Sequence, residues 1–292
     1  SGMDAVRAGE PLIVVIRAKS SQPYEEALSG FRSHIESHGI KARFEVHTID
    51  GDMKAFDPIM DKAVSVEAKL VYTIGSTITE RAVQSGTSIP IVYSLVMDDV
   101  RSGDIDVTGV TMELAVSSHF QWMKRFLPKA RKVGVLYNPE NNSERIVKAK
   151  VEALKRGLTL EAEPIERPQE IPAALKRLAK RVDVLWGIPD DIVLNPQTAK
   201  QLLLFCYRNR IPFIGPSKAW VKAGALYALD RDYTDIGSQC GVIAASILAG
   251  SEARSIKVQC PKRTVYYVNS KTARHMKVNI DKEILAAADG VY

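Results

Sequence analysis

The sequence predicts an α/β protein made of two doubly wound, parallel-sheet lobes joined by a hinge that the chain crosses more than once. Three observations predict it. Short runs rich in apolar and β-branched residues alternate with helical stretches, the pattern of parallel strands covered by helices on both faces. The alternation then runs through a second time. The two series also echo one another: Ser88-Ile89-Pro90-Ile91-Val92 answers Arg210-Ile211-Pro212-Phe213-Ile214, and Val71-Tyr72-Thr73-Ile74-Gly75 answers Asp183-Val184-Leu185-Trp186-Gly187, each pair at the same rank in its series. With 292 residues the chain is long enough for two domains of ordinary size.

Leu12 to Arg17 is an apolar strand that opens the first series. Pro23 suits the first turn of the helix that follows, and Gly39 ends that helix after His38. Residues 42–48 alternate and read as a strand with one wetter face, and Asp57-Pro58 opens the next helix. Leu70 to Ile74 is a buried strand broken at Gly75. Thr77 then begins a helix, with Glu80 at the spacing of a capping box. Ile89 to Ser94 and Asp106 to Thr111 are further strands, and a helix from Glu113 to Phe126 leads into the second series.

There, Lys132 to Tyr137 is a strand, and Asn141 with Glu144 matches the capping-box spacing for a helix reaching Arg156, just before Gly157. Leu158 to Ile165 is a strand, Pro172 to Lys180 a helix and Val182 to Trp186 a buried strand ending at Gly187. Asn195-Pro196 caps a helix to Asn209. Ile211 to Ile214, a short helix from Ser217 to Ala223 and a strand from Ala225 to Leu229 complete the series. The tail holds a helix from Asp232 to Ala249, a strand from Thr264 to Asn269 and a helix from Asp281 to Ala288. These late elements need a sheet to pack on, so the expected lobes are discontinuous: 10–112 with 232–262, and 113–231 with 263–292. Ser1-Gly2 reads as a scar of tag cleavage and is set aside.

Composition excludes several classes. The chain is 46% hydrophobic and 25% charged, with no run of about 18 apolar residues to span a membrane. The net charge of +6 is spread along the chain, and Lys176-Arg177 and Lys180-Arg181 read as the solvated face of a helix, so no nucleic-acid partner is expected. Cys206, Cys240 and Cys260 fit no zinc spacing; the first two lie in apolar helical patterns and read as core thiols. His34 and His38 stand four apart on a surface helix, and no metal or other cofactor is expected.

In an open parallel sheet, ligands bind beyond the carboxyl ends of the strands, and a cleft between two such lobes is a favoured site. The strand-end residues are Ser20, Ser21 and Tyr24; Gly75, Ser76 and Thr77; Ser94; Tyr137, Asn142 and Ser143; Trp186, Asp190 and Asp191; Ser217; and Asp230. They are a recognition inventory. No Ser/His/Asp or Cys/His grouping falls at strand ends, and neither a dinucleotide fingerprint nor a P-loop occurs, so the reading is a binder and not an enzyme. Gly75-Ser76-Thr77 offers helix N–H groups and hydroxyls to a carboxylate. Asp190 or Asp191 offers an acid to an ammonium, and Tyr and Trp at strand ends suit an apolar side chain. Together they fit an α-amino acid. For Trp186, Tyr137 and Tyr24 plain core packing competes with this reading, for Asp191 capping or solvation does, and for Ser143 and Ser217 simple helix capping does.

Several segments carry a resemblance: Ile74-Gly75-Ser76-Thr77, Ile89 to Tyr93 with Asp98, Val107-Thr108-Gly109-Val110, Val133 to Pro139 with Asn142-Ser143, Ile211-Pro212-Phe213, and Asp232-Tyr233 through Gly237. In order and spacing they resemble the substrate-binding proteins of ABC transporters with the type I periplasmic-binding architecture, in particular the branch that includes aromatic-amino-acid binders. The resemblance implies a monomeric two-lobed receptor that closes on a small solute, an amino acid, and delivers it to a membrane permease. It implies an extracytoplasmic location, periplasmic or lipid-anchored, with the export segment missing ahead of Met3. It also implies that Ser76 and Thr77, with Ser143, hold the ligand carboxylate, that Asp191 faces the ammonium and that Ser217 lines the second lobe. The chain departs from the family pattern at Asp98-Asp99, where Asp-Pro is frequent, in a shorter loop from Asn138 to Ser143, and at Ile192, where an amide often follows the acid. A sensor domain of the same fold is the alternative, and an enzyme acting on an amino acid or sugar comes third.

Overall fold

The computed structural model describes residues 9–101 and 103–292; Ser1-Gly2 lies outside the described residues. In chain order the first series is β1 (Leu12–Arg17), α1 (Gln22–Ser37), β2 (Arg43–Thr48), α2 (Phe56–Ser65), β3 (Leu70–Ile74), α3 (Ser76–Gln84), β4 (Ile91–Val96) and β5 (Val107–Thr111). The second is α4 (Val116–Phe126), β6 (Lys132–Tyr137), α5 (Pro139–Leu154), β7 (Thr159–Pro164), α6 (Ile171–Ala179), β8 (Val184–Trp186), α7 (Pro196–Asn209), β9 (Phe213–Gly215), α8 (Lys218–Ala223) and β10 (Tyr227–Arg231). The tail adds α9 (Tyr233–Leu248), β11 (Thr264–Val268), α10 (Ser270–His275), α11 (Lys282–Ala286) and β12 (Gly290–Val291).

The chain divides into two compact units, one running to Glu113 and resuming at Arg231–Arg263, the other comprising Leu114–Asp230 and Thr264–Tyr292. The first holds a five-stranded sheet in the order β2-β1-β3-β4-β5, each neighbouring pair parallel. Side chains of β1 alternate between two cores. Ile13 and Val15 pack with α1 and α9, while Leu12, Val14 and Ile16 pack with α2 and α3. The second unit holds a seven-stranded sheet in the order β12-β11-β10-β9-β8-β6-β7. Its β6 runs parallel to β7 and β8, and β9 runs parallel to β8 and β10. One of its faces is covered from α4 and α5, the other from α6 and α7.

Several boundaries differ from the sequence expectation. The helix after β3 begins at Ser76, with Gly75 as N-cap and no side-chain cap bond, so the Thr77–Glu80 box does not form. The turn needs a φ of +112° at Gly75, which a glycine supplies without a capping side chain. The helix expected to be capped at Asn141 starts at Pro139. Asn138 caps it by accepting from the Glu140 N–H at 3.1 Å, and proline presets the first turn. The helix expected from Glu113 starts at Val116. Strands β4 and β9 begin one residue after Pro90 and Pro212, because proline has no N–H to give the ladder. α10 and β12 carry too few residues for a readable period. Cys206 and Cys240 are buried and Cys260 is exposed, all three free; burial pushes the Cys206 thiol up to about 12.

The tail helix α9 meets α1 through glycines. A Cβ on Gly237 would lie 1.9 Å from the Ala27 carbonyl oxygen, and one on Gly30 would lie 1.9 Å from the Thr234 carbonyl oxygen. Both clashes are with backbone, so the helices themselves must part to admit a methyl group. Gly237→Ala is therefore expected to destabilise the first unit by about 1–3 kcal/mol. Urea unfolding checks this: the midpoint falls while the slope holds.

Candidate ligand-binding site

In the first unit, strands β1, β3 and β4 are neighbours, and their carboxyl ends are tied together. The Ala18 N–H donates to the Ile74 carbonyl at 3.0 Å, and the Gly75 N–H donates to the Ser94 carbonyl at 2.9 Å. The Gly75 carbonyl is turned inward. It accepts from the Thr79 N–H at 3.1 Å and from the Thr79 hydroxyl at 2.8 Å, and that hydroxyl lies 2.9 Å from the Thr73 hydroxyl. This fixes the first turn of α3. The N–H groups of Ser76, Thr77 and Ile78 precede the first intrahelical bond, so the helix leaves them without partners and positively polarised. Thr77 is exposed and Ser76 half-buried. Tyr24 lies over the turn: a Cβ on Gly75 would stand 3.2 Å from its Cε1 and 3.3 Å from its hydroxyl. Ser21 is exposed at the N-cap of α1, with no side-chain cap bond.

Ser94 does not reach the edge. It is fully buried, its hydroxyl 2.7 Å from that of Tyr72, whose phenol burial pushes well up. A strand residue's facing is set by its pairing register, and this one faces the core. Arg17 closes the otherwise apolar β1 and also belongs to this edge, without a motif that marks it in the sequence. Its Nε donates to the Thr48 hydroxyl at 2.8 Å. Its Nη1 stands 2.7 Å from Glu25 Oε1, close enough for an ion pair but not aligned as a hydrogen bond.

In the second unit the two adjacent acids separate. Asp190 is 8% exposed, and its carboxylate holds four donors. Oδ2 accepts from the Asn138 N–H at 2.6 Å and from Asn142 Nδ2 at 2.9 Å. Oδ1 accepts from the Ile192 and Val193 N–H groups at 3.1 and 2.9 Å. The loop after β6 is thereby bound to the loop after β8. Asp191 is exposed, and its backbone carbonyl accepts from Asn195 Nδ2 at 2.8 Å. Asn195 also caps α7, accepting from the Gln197 and Thr198 N–H groups.

Two further expected contacts lie inside. Asn142 is 2% exposed, its amide donating to Asp190 and to the Pro189 carbonyl and accepting from Arg145 Nη1 at 2.7 Å. Trp186 is buried, its ring 5.1 Å from that of Phe120 and 5.3 Å from that of His119. Aromatic surface at a strand end gains more from the core than from an open edge. Tyr137 is half-buried against the same core. Ser143 is exposed, its hydroxyl donating to the Pro139 carbonyl at 2.5 Å. Ser217 and Asp230 are half-buried, Ser217 ahead of α8 without a side-chain cap bond.

The carboxyl edges thus present hydroxyls and helix N–H groups in one unit and an exposed acid in the other. Among the described residues, no group of three or more His, Cys, Asp or Glu is placed to hold a metal, and no helix is long and apolar enough to cross a membrane. Asp190→Ala orphans three backbone N–H groups and is expected to cost about 3 kcal/mol of stability. Asp191→Ala is expected to change it by less than about 0.5 kcal/mol. Paired denaturant titrations distinguish the two.

A family model described as ABC transporter substrate binding protein matches residues 13–292. A protein of Clostridioides difficile (strain R20291) named tyrosine-binding protein is 26% identical over 267 residues, covering 86% of this chain and 76% of the relative. Among solved structures, the ligand-free, open form of a substrate-binding protein with adhesive properties from Clostridium difficile superposes with a TM-score of 0.74 at 23% identity, over 96% of this chain and 99% of that one. An ABC domain from Streptococcus pneumoniae in complex with L-Trp gives 0.56 at 20% identity, over 97% and 100%. Both structures share the fold with this chain.

Proposed function

The chain belongs to the ABC transporter substrate-binding protein family, and on that premise we propose that it is the extracytoplasmic receptor of an importer whose solute is a free amino acid. The observation that carries this reading is the opposite polarity of the two strand-end sets. The start of α3, with Ser76 and Thr77, suits a carboxylate; Asp191 suits an ammonium. A phosphate satisfies only the first, and a neutral sugar answers neither charge. The likeness to a relative named for tyrosine supports an aromatic side chain, and Tyr24 and Tyr137 are the half-buried rings available to flank it.

In this reading both units hold one solute and close on it about the hinge, and a membrane permease recognises the closed monomer. The energetics are adequate. The dipole of α3 contributes about 0.3–2 kcal/mol to a bound anion, and each hydrogen bond to a charged group contributes about 1.5–3 kcal/mol. Four or five such contacts reach the roughly −8 kcal/mol of a micromolar complex. Ser143 adds to the carboxylate contacts, and Ser21, Ser217 and Asp230 orient the solute.

Native mass spectrometry of the protein as purified is expected to reveal a trapped solute of amino-acid mass. Asp191→Ala and Thr77→Ala are each expected to weaken binding at least about tenfold, or 1.4 kcal/mol, without lowering the melting temperature. Unchanged affinity in both variants by calorimetry would refute the assignment.

A further inference from the structure

A cavity of about 490 Å³ lies at the other edge of the second unit's sheet. Its walls include Ala130, Asp183 and Pro212, which stand just ahead of β6, β8 and β9, whereas Asn138, Asp190 and Ser217 follow the carboxyl ends of strands. The volume is that of an ordinary small-ligand pocket. Phe126, Pro212, Met276 and Val278 give it an apolar lining, and Lys129, Arg210 and Lys277 bring three cations to it.

Cations at this edge have an ordinary explanation, since α4, α7 and α10 end nearby and helix carboxyl ends attract positive charge. After α4 that role is already filled. The Pro128 and Ala130 carbonyls accept from Lys124 Nζ at 2.9 and 3.0 Å and from Arg131 Nη1 at 3.4 and 3.2 Å. Among the described residues, no hydrogen bond or ion pair engages the side chains of Lys129, Arg210 or Lys277. Asp183, the acid in the lining, is turned onto backbone, its Oδ2 accepting from the N–H groups of Arg131 and Lys132 at 2.7 and 2.9 Å.

Two of these cations also stand at left-handed backbone positions. Where the chain leaves a helix through a left-handed residue, it uses Gly39, Gly86, Gly157, Gly224 and Gly250. The non-glycine exceptions at helix ends are Glu67, Arg210 and Lys277, and two of these three line this one cavity. A side chain at such a position costs stability that glycine would spare. Local strain of this kind collects at sites that bind.

We infer that the second unit carries a ligand site of its own at this edge, taking a small carboxylate with an apolar body: the hydrocarbon enters among Phe126, Pro212, Met276 and Val278, and the carboxylate meets Arg210, Lys277 and Lys129. The inference does not rest on the receptor reading. Octanoate is the probe, titrated calorimetrically into the full chain at low salt. Saturable binding of one octanoate per chain is expected, with 1-octanol, its neutral analogue, at least tenfold weaker. The double variant Arg210→Gly/Lys277→Gly removes two cations and relieves two strained positions. It is expected to bind octanoate at least tenfold more weakly while melting no lower than the parent. Lys129→Gln, away from the left-handed positions, is expected to weaken binding in the same direction, which keeps the test open should glycine loosen the loops. Absence of saturable octanoate binding, equal binding of octanol, or undiminished binding by both the double variant and Lys129→Gln overturns the inference.

Discussion

The Asp190 carboxylate and its four N–H donors hold the second unit's candidate site in shape. A buried carboxylate is tolerable only when its charge is met, and here backbone and amide donors from two loops meet it. The consequence is directional. Asp190 turned in caps the turn that follows, and Asp191, the first residue of that turn, stands exposed. The first unit uses the same device with neutral groups. The Thr73–Thr79 hydroxyl pair holds the Gly75 carbonyl, so Ser76 and Thr77 face away from the core with their N–H groups unspent. In both units a satisfied buried polar cluster fixes the backbone just before the residues proposed to meet a ligand, and such preorganisation lowers the ordering cost of binding.

Much of this fold is legible in the sequence, because the signals that define it are local. β1 and β6 fall on the residues expected, since each is a short apolar run bounded by turn chemistry. Proline and glycine locate about half of the helix ends. What local signals do not encode is which of several polar strand-end residues turns inward. Ser94, Asn142 and Trp186 sit at the right rank in the chain, yet their partners Tyr72, Asp190 and Phe120 are brought to them by pairing and packing across the unit. Asp190 and Asp191 are indistinguishable as letters; the N–H groups of Asn138, Ile192 and Val193 separate them. The starts of α3 and α5 were displaced by stronger local rules, a left-handed glycine in one case and a proline in the other.

The return of the tail is equally invisible in a periodic pattern. Helix α9 follows the second unit's strands but packs on α1 of the first, and contact at that distance requires residues without side chains at Gly30 and Gly237. These glycines lie inside helices, where propensity alone disfavours them by about 1 kcal/mol each. Close packing of the two backbones is the compensating gain, and it commits the segment after Asp230 to the first unit.

A solute held through both of its charged ends loses affinity when either end is blocked. Calorimetry with L-tyrosine, N-acetyl-L-tyrosine and L-tyrosinamide tests it directly. Micromolar binding of the free amino acid, about −8 kcal/mol, is expected, with a loss of at least about tenfold, 1.4 kcal/mol, when either end is blocked. Undiminished binding of the N-acetyl form or of the amide would contradict it.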